Sequence, residues 1–293
     1  MGEAIVNPQT PVLVGAGQFT FKGAPEDCPP ILDLLENAIK EAVGDAGFGA
    51  EACTGVDAVK VVGFTVDSPG PIQNFPFPRI SNPPKALANR LGLNPKTFLY
   101  THMGGNTPQA LVNQTAEAIA EGREEFTLIT GAEFLGATKK LLAQGADMSA
   151  WADPDPDASS PDLFGDPRDG CSPQEAAHGL GLPVNAYPLF ENALMKHLGH
   201  SVEEHQSHLG KVMAPFTKVA AENPYSWFPV ERSAEEIATV SEGNRYVGWP
   251  YTKYMNAVME VNQSAALIMM SSAKADELGV PQEKRVYLHG CSD

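Results

Sequence analysis

The stretch THMGGNTPQALVN, Thr101–Asn113, decides how this chain is read. The run TFLYTHM, Thr97–Met103, has the apolar, β-branched and aromatic character of a strand; it breaks at Gly104 and Gly105 and passes into a helix that begins near Pro108. A strand that ends at a helix N-terminus aims backbone N–H groups and the positive end of the helix dipole at one spot, which suits a developing oxyanion. Glycine there lets a ligand approach the backbone closely. Asn106 and Thr107 are residues that cap a helix, and Pro108 fits a first helical turn. Yet the turn holds no obvious nucleophile: Thr107 has no base beside it in sequence, and His102 lies back on the strand. The same residues would equally cap a purely structural strand-to-helix turn.

Working outward, the alternation continues on both sides. PVLVGAGQFTF, Pro11–Phe21, reads as a strand, and the helix after it places Ile31, Leu34, Leu35, Ala38, Ile39, Ala42 and Val43 on one stripe, closed by Gly47 and Gly49. VDAVKVVGFT is a second strand. Beyond the proline-rich loop DSPGPIQNFPFPRISNPP comes a short helix, KALANRLGL, capped by Asn94 and Pro95. PQALVNQTAEAIAEGREE is the helix after the turn, and FTLITGAEF a fourth strand. Strands alternating with helices at this spacing predict βαβ units in an α/β fold, a mostly parallel mixed sheet covered by helices. From Ala137 to Pro250 the rhythm stops and the chain is rich in Asp, Pro and Gly before turning helical, so 137–250 reads as an inserted, largely helical lid. The α/β pattern resumes at Tyr251, giving an expected division of 1–136 with 251–293 against 137–250.

Composition excludes several function classes. A net charge of −16 repels nucleic acid and anionic membrane surfaces. Apolar stretches such as ALIMM, Ala266–Met270, are far too short to span a bilayer, and MGEAIVNPQT lacks the features of a secretion signal, so the expected compartment is the cytoplasm. Cys28, Cys53, Cys171 and Cys291 are widely spaced and read as free thiols.

Two motifs invite a sharper reading than they support. VGAGQFT, Val14–Thr20, offers GxG after a strand, but the third glycine of a dinucleotide fingerprint falls on Thr20, which favours a tight turn. His197, His200, His205 and His208 suggest a metal, yet Gly199 and Ser201 break the run into two helices, with Glu204 completing a capping box on Ser201. The expectation is an exposed helical hairpin with no metal bound.

GGNTPQALVNQTAEAIAEG followed by FTLITGAEFLGATKK resembles the thiolase superfamily, whose corresponding run is a strand, a cysteine-bearing turn, a helix, and a strand ending in a Gly-rich segment. YTKYMNAVMEVNQSAALIMMSSAKADELGV is similar to the segment that returns from the thiolase loop domain, and ALMKHLGHSVEEHQSHLGKVMAPFTKVAAENPYS resembles the loop domain of the sterol-carrier type. The resemblance implies a thiolase-like N-terminal half with its loop domain, the latter holding the pantetheine arm of coenzyme A. It also implies an acyl-CoA thioester as substrate or ligand, with no covalently bound cofactor.

Where a thiolase carries its acyl-accepting cysteine this sequence has Gly104, so no acyl-enzyme forms there. What the resemblance then implies is Gly104 as backbone oxyanion donor, His102, Gly105, Asn106 and Thr107 against the substrate, and Tyr251 as a candidate acid or base. The reaction class is acyl transfer, acetyl-CoA acetyltransferase-like, or retro-aldol carbon–carbon cleavage, with a non-catalytic acyl-CoA or lipid-binding protein as the alternative. The Asn-Glu-Ala-Phe segment, the Gly-His-Pro segment and the second reactive cysteine of the thiolase C-terminal half do not occur, so the chain is expected either to be the N-terminal half of a split or nicked protein or to have its other half on a separate polypeptide or partner subunit. A homodimer built on the core sheet, with TFLYTHM near its two-fold axis, is a further expectation.

Overall fold

In the computed structural model, residues 6–68, 75–168 and 170–292 are described. Residues 1–5 of the expected leaderless N-terminus, 69–74 of the proline-rich loop, position 169 and the terminal residue 293 lie outside them.

The chain divides into two compact units, Met1–Pro167 with Glu260–Asp293, and Arg168–Met259. The first unit is built on a sheet of seven strands: β1 (Pro11–Thr20), β2 (Ala58–Val61), β3 (Thr97–Thr101), β4 (Phe126–Glu133), β5 (Asp162–Phe164), β8 (Gln263–Ser271) and β9 (Val286–Tyr287). Their order is β5-β3-β2-β4-β8-β1-β9. β5, β3, β2 and β4 run parallel; β8 lies antiparallel between β4 and β1, and β9 pairs antiparallel at the far edge. The sheet is therefore mixed and mostly parallel, as the alternation predicts.

Helices α1 (Ile31–Ala46), α2 (Pro83–Leu91), α4 (Leu135–Gln144) and α9 (Ser272–Glu277) supply the core on one face. All seven residues of the predicted α1 stripe are buried, joined by Ala46, and Gly47 ends the helix in the left-handed conformation with its N–H on Val43 O. α2 begins earlier than expected. Asn82 caps it by accepting from Lys85 N at 3.0 Å, and Gly92, not Asn94 and Pro95, closes it.

β1 carries a bulge between Leu13 and Gly15, which turns Val14 and Gly15 both inward and leaves Gly15 and Gly17 facing α1. A Cβ on Gly17 would lie 2.1 Å from Ala38 O, and one on Gly15 2.3 Å from Ala42 O. The GxG motif is thus a helix-packing device.

The opposite face carries α3 (Thr107–Ala120) over Leu99, Ile129 and Met269. Beneath it Lys60 is fully buried. Its ammonium reaches Glu124 Oε2 at 2.8 Å, Gln114 Oε1 at 2.6 Å and Thr115 Oγ1 at 2.9 Å. Burial holds Lys60 below the ordinary lysine range, and Glu124 opposes that shift.

The second unit holds α5 (Pro173–Ala177), α6 (Pro183–Leu198), α7 (Val202–Glu222), α8 (Ala234–Ala238) and a two-stranded sheet of β6 (Tyr246–Gly248) and β7 (Tyr251–Thr252). Its borders differ from the expected insertion of 137–250. Ala137 and Leu141 of α4 belong to the first unit's core, and β5 extends that unit's sheet. After the return at Tyr251 the next strand of the sheet begins only at Gln263. Among the described residues no helix is long and apolar enough to cross a membrane.

Candidate functional site

β3 delivers the chain to the glycine turn, and its end is held from two sides. Thr101 Oγ1 accepts the Gly63 N–H at 2.8 Å, and His102 N donates to Phe164 O at 2.9 Å, extending the pairing with β5. α3 then starts at Thr107, with Pro108 in its first turn. The expected caps are not made. Asn106 stands at the N-cap in helical conformation with no side-chain hydrogen bond, and the Thr107 hydroxyl points back to His102 O at 3.4 Å. The helix thus has no side-chain cap and no acidic residue in its first turn, so its positive end lacks a counter-group from its own first turn.

A cleft of about 420 Å³ opens at that point. His102, Gly104, Asn106 and Thr107 line it together; Gly105 sits in the same turn but outside the lining. The far wall was not foreseen from the sequence. Phe164 ends β5 and Gly165 and Asp166 follow it, while Gln109, Asn113 and Ser292 contribute to the rim. Gly165 has φ 102°, a conformation that favours glycine. Gln109 Nε2 donates to Asn113 Oδ1 at 3.0 Å, and Asn113 Nδ2 to Ser292 O at 3.2 Å, tying the chain's last described residue to α3. The lining sets amide side chains, one imidazole and one carboxylate among apolar surface that includes Met103, Ala110 and Phe164. It can orient a ligand by hydrogen bonds and exchange protons, and it presents no thiol.

Tyr251 lies in the second unit, within a separate polar network. Its hydroxyl donates to Glu191 Oε2, and His205 Nε2 meets Glu191 Oε1 at 2.9 Å. His205 Nδ1 faces His200 Nδ1 at 3.2 Å, and the His208 ring lies 5.5 Å from that of His200. The capping box on Ser201 forms as predicted, and the hairpin brings His200, His205 and His208 together, while His197 stays exposed. His205 is fully buried, against the expectation of an exposed face. Among the described residues no group of three or more His, Cys, Asp or Glu is placed to hold a metal ion. Burial, followed by the Glu191 hydrogen bond and charge, pushes the Tyr251 phenol well above its ordinary range, so it is protonated at neutral pH. Glu191→Ala is expected to cost about 2–3 kcal/mol, because it strips the acceptor from a hydroxyl and from a buried imidazole at once. Urea unfolding measures that cost, and Glu191→Gln, which keeps one acceptor, should lose less.

No protein-family model and no curated protein sequence matches this chain. Solved structures do. A monomeric SCP2-thiolase-like protein, type 1, from Mycobacterium smegmatis is 34% identical over 98% of this chain and 51% of its own, with a TM-score of 0.74. This is the fold of the thiolase superfamily. The dimeric peroxisomal thiolase of Saccharomyces cerevisiae shares it at 15% identity, over 94% of this chain and 68% of its own, with a TM-score of 0.56. An Ltp2-ChsH2(DUF35) aldolase does so at 20% identity, 93% and 58% coverage and a TM-score of 0.58. The chain therefore spans about half the length of the mycobacterial thiolase-like protein.

Proposed function

We propose that the chain binds an acyl-CoA thioester at the Gly104 turn and acts on it without a covalent acyl-enzyme. The observation that carries this reading is the cleft at the uncapped N-terminus of α3, which has glycine where the thiolase resemblance places the nucleophilic cysteine. In this reading the Gly104 N–H and the helix dipole polarise the thioester carbonyl, while Asn106, Thr107 and His102 orient it. His102 beside the turn is then the group available for proton transfer. Carbon–carbon cleavage or formation needs no acyl-enzyme, and one similar structure is described as an aldolase. The second unit corresponds in sequence to the loop domain, the part that in the thiolase resemblance binds the pantetheine arm. A partner subunit or second thiolase half completes the catalytic groups, and the exposed apolar side chains of Tyr187, Phe190 and Leu194 on α6 support an association of this kind. Pure acyl-CoA binding is the competing reading.

Calorimetric titration with acetoacetyl-CoA tests the proposal. The half-buried Ala110 lines the cleft, so Ala110→Trp is expected to weaken binding at least tenfold, about 1.4 kcal/mol, by filling the space. Unchanged affinity, with the variant folded, would place the ligand elsewhere. Turnover of the bound thioester separates catalysis from binding alone.

A further inference from the structure

Position 104 is held empty by a residue three places downstream. Gly104 is absent from the glycines with left-handed backbone, so its own conformation accepts a side chain. Space is what refuses one. A Cβ on Gly104 would lie 2.7 Å from Thr107 Oγ1 and 3.2 Å from Asn106 Oδ1, the first well inside van der Waals contact. Thr107 has little freedom to yield. It is the first residue of α3 and 7% exposed, its N–H is bonded to Gly104 O at 3.1 Å and its hydroxyl to His102 O, and β-branching restricts its χ1. Gly105 differs completely: a Cβ there would meet nothing within 4 Å.

We infer that Thr107 is a specificity-determining residue of this turn. Its hydroxyl occupies the volume that a nucleophilic side chain at 104 would enter, so covalent acyl transfer is barred at two positions, and installing a working thiol takes two substitutions. The functional meaning rests on the acyl-CoA reading above; the steric content does not, and the experiment separates them.

The first measurement is a double-mutant cycle in melting temperature. Gly104→Ala is expected to lower the parent's melting temperature by about 4 °C, the scale of a mild overpacking cost. In the Thr107→Ala background the same change should cost less than half as much, and Gly105→Ala in the parent should cost nothing measurable. Equal losses at 104 in the two backgrounds, or no loss in either, overturn the inference. The second measurement is intact mass after incubation with acetyl-CoA. The helix dipole favours a thiolate at this position. In Gly104→Cys/Thr107→Ala that thiolate attacks the acetyl carbonyl carbon, a new thioester forms, the bond to the coenzyme sulfur breaks and CoA leaves. Acetylation at least fivefold faster than in Gly104→Cys alone is the expected result. Coupled melting temperatures with neither acetylation nor calorimetric binding of acetoacetyl-CoA would sink the acyl-CoA reading and leave the steric inference standing; acetylation at equal rates in both variants would overturn the assignment of specificity to Thr107.

Discussion

Gly17→Ala is expected to destabilise the chain by about 3–4 kcal/mol, at the upper end of what overpacking costs. The added methyl would sit 2.1 Å from Ala38 O and 2.4 Å from Ala42 N. Both are backbone atoms in the middle of α1, so no side chain can rotate away to make room. The helix must retreat from β1, and Leu34, Leu35 and Ala42, all fully buried, lose contacts as it does. Urea unfolding gives the measurement, with Ala16→Ser on the exposed side of the same strand as a control expected to stay within about 0.5 kcal/mol. The result also decides what the GxG motif is for. If these glycines served a phosphate, Gly17→Ala would leave the midpoint in place and abolish nucleotide binding instead.

Lys60→Ala should cost about 3–5 kcal/mol, the usual consequence of leaving a buried charge without its partner. Glu124 would lose its cation 2.8 Å away, and the Gln114 and Thr115 side chains would each lose a donor, all beneath α3. Removing both charges changes the balance. Lys60→Met/Glu124→Met replaces the pair by apolar side chains and is expected to cost less than Lys60→Ala, because no buried charge is left unpaired, the remaining loss coming from Gln114, Thr115 and the Thr127 hydroxyl that donates to Glu124 Oε2 at 2.7 Å. Chemical denaturation of the two variants distinguishes the cases. A double variant as unstable as Lys60→Ala would show that the Gln114 and Thr115 bonds, and not the charge pair, hold the α3 face.

Lys60 also bears on the cleft. α3 is anchored on the sheet by Lys60 at its middle, and its first turn forms the cleft wall. Movement of the helix by a fraction of an ångström displaces Gly104, Thr107 and Gln109 together.

Periodicity along one element was enough to read α1: a helix that buries one face shows it at every third or fourth residue, and the predicted stripe is the buried one. The Ser201 and Glu204 capping box was equally readable, since its partners lie three residues apart. The antiparallel course of β8 was not, because side-chain alternation is the same whichever way a strand runs. Nor did the spacing of the four histidines show that His205 would be buried beside Glu191, which comes from another helix.

By itself, then, the sequence determined the α/β alternation, the strand–glycine–helix turn at Thr101–Asn113 and the likeness to thiolases, all carried by short runs of neighbouring residues. Only the tertiary structure decided that Gly15 and Gly17 face a helix, that β5 and Ser292 close the cleft around His102 and Thr107, and that Thr107 fills the space beside Gly104. The physical reason is distance. Local pattern records which face of its own element a residue occupies, whereas clashes, cleft walls and buried polar pairs depend on tenths of an ångström between atoms whose separation along the chain carries no trace of their meeting.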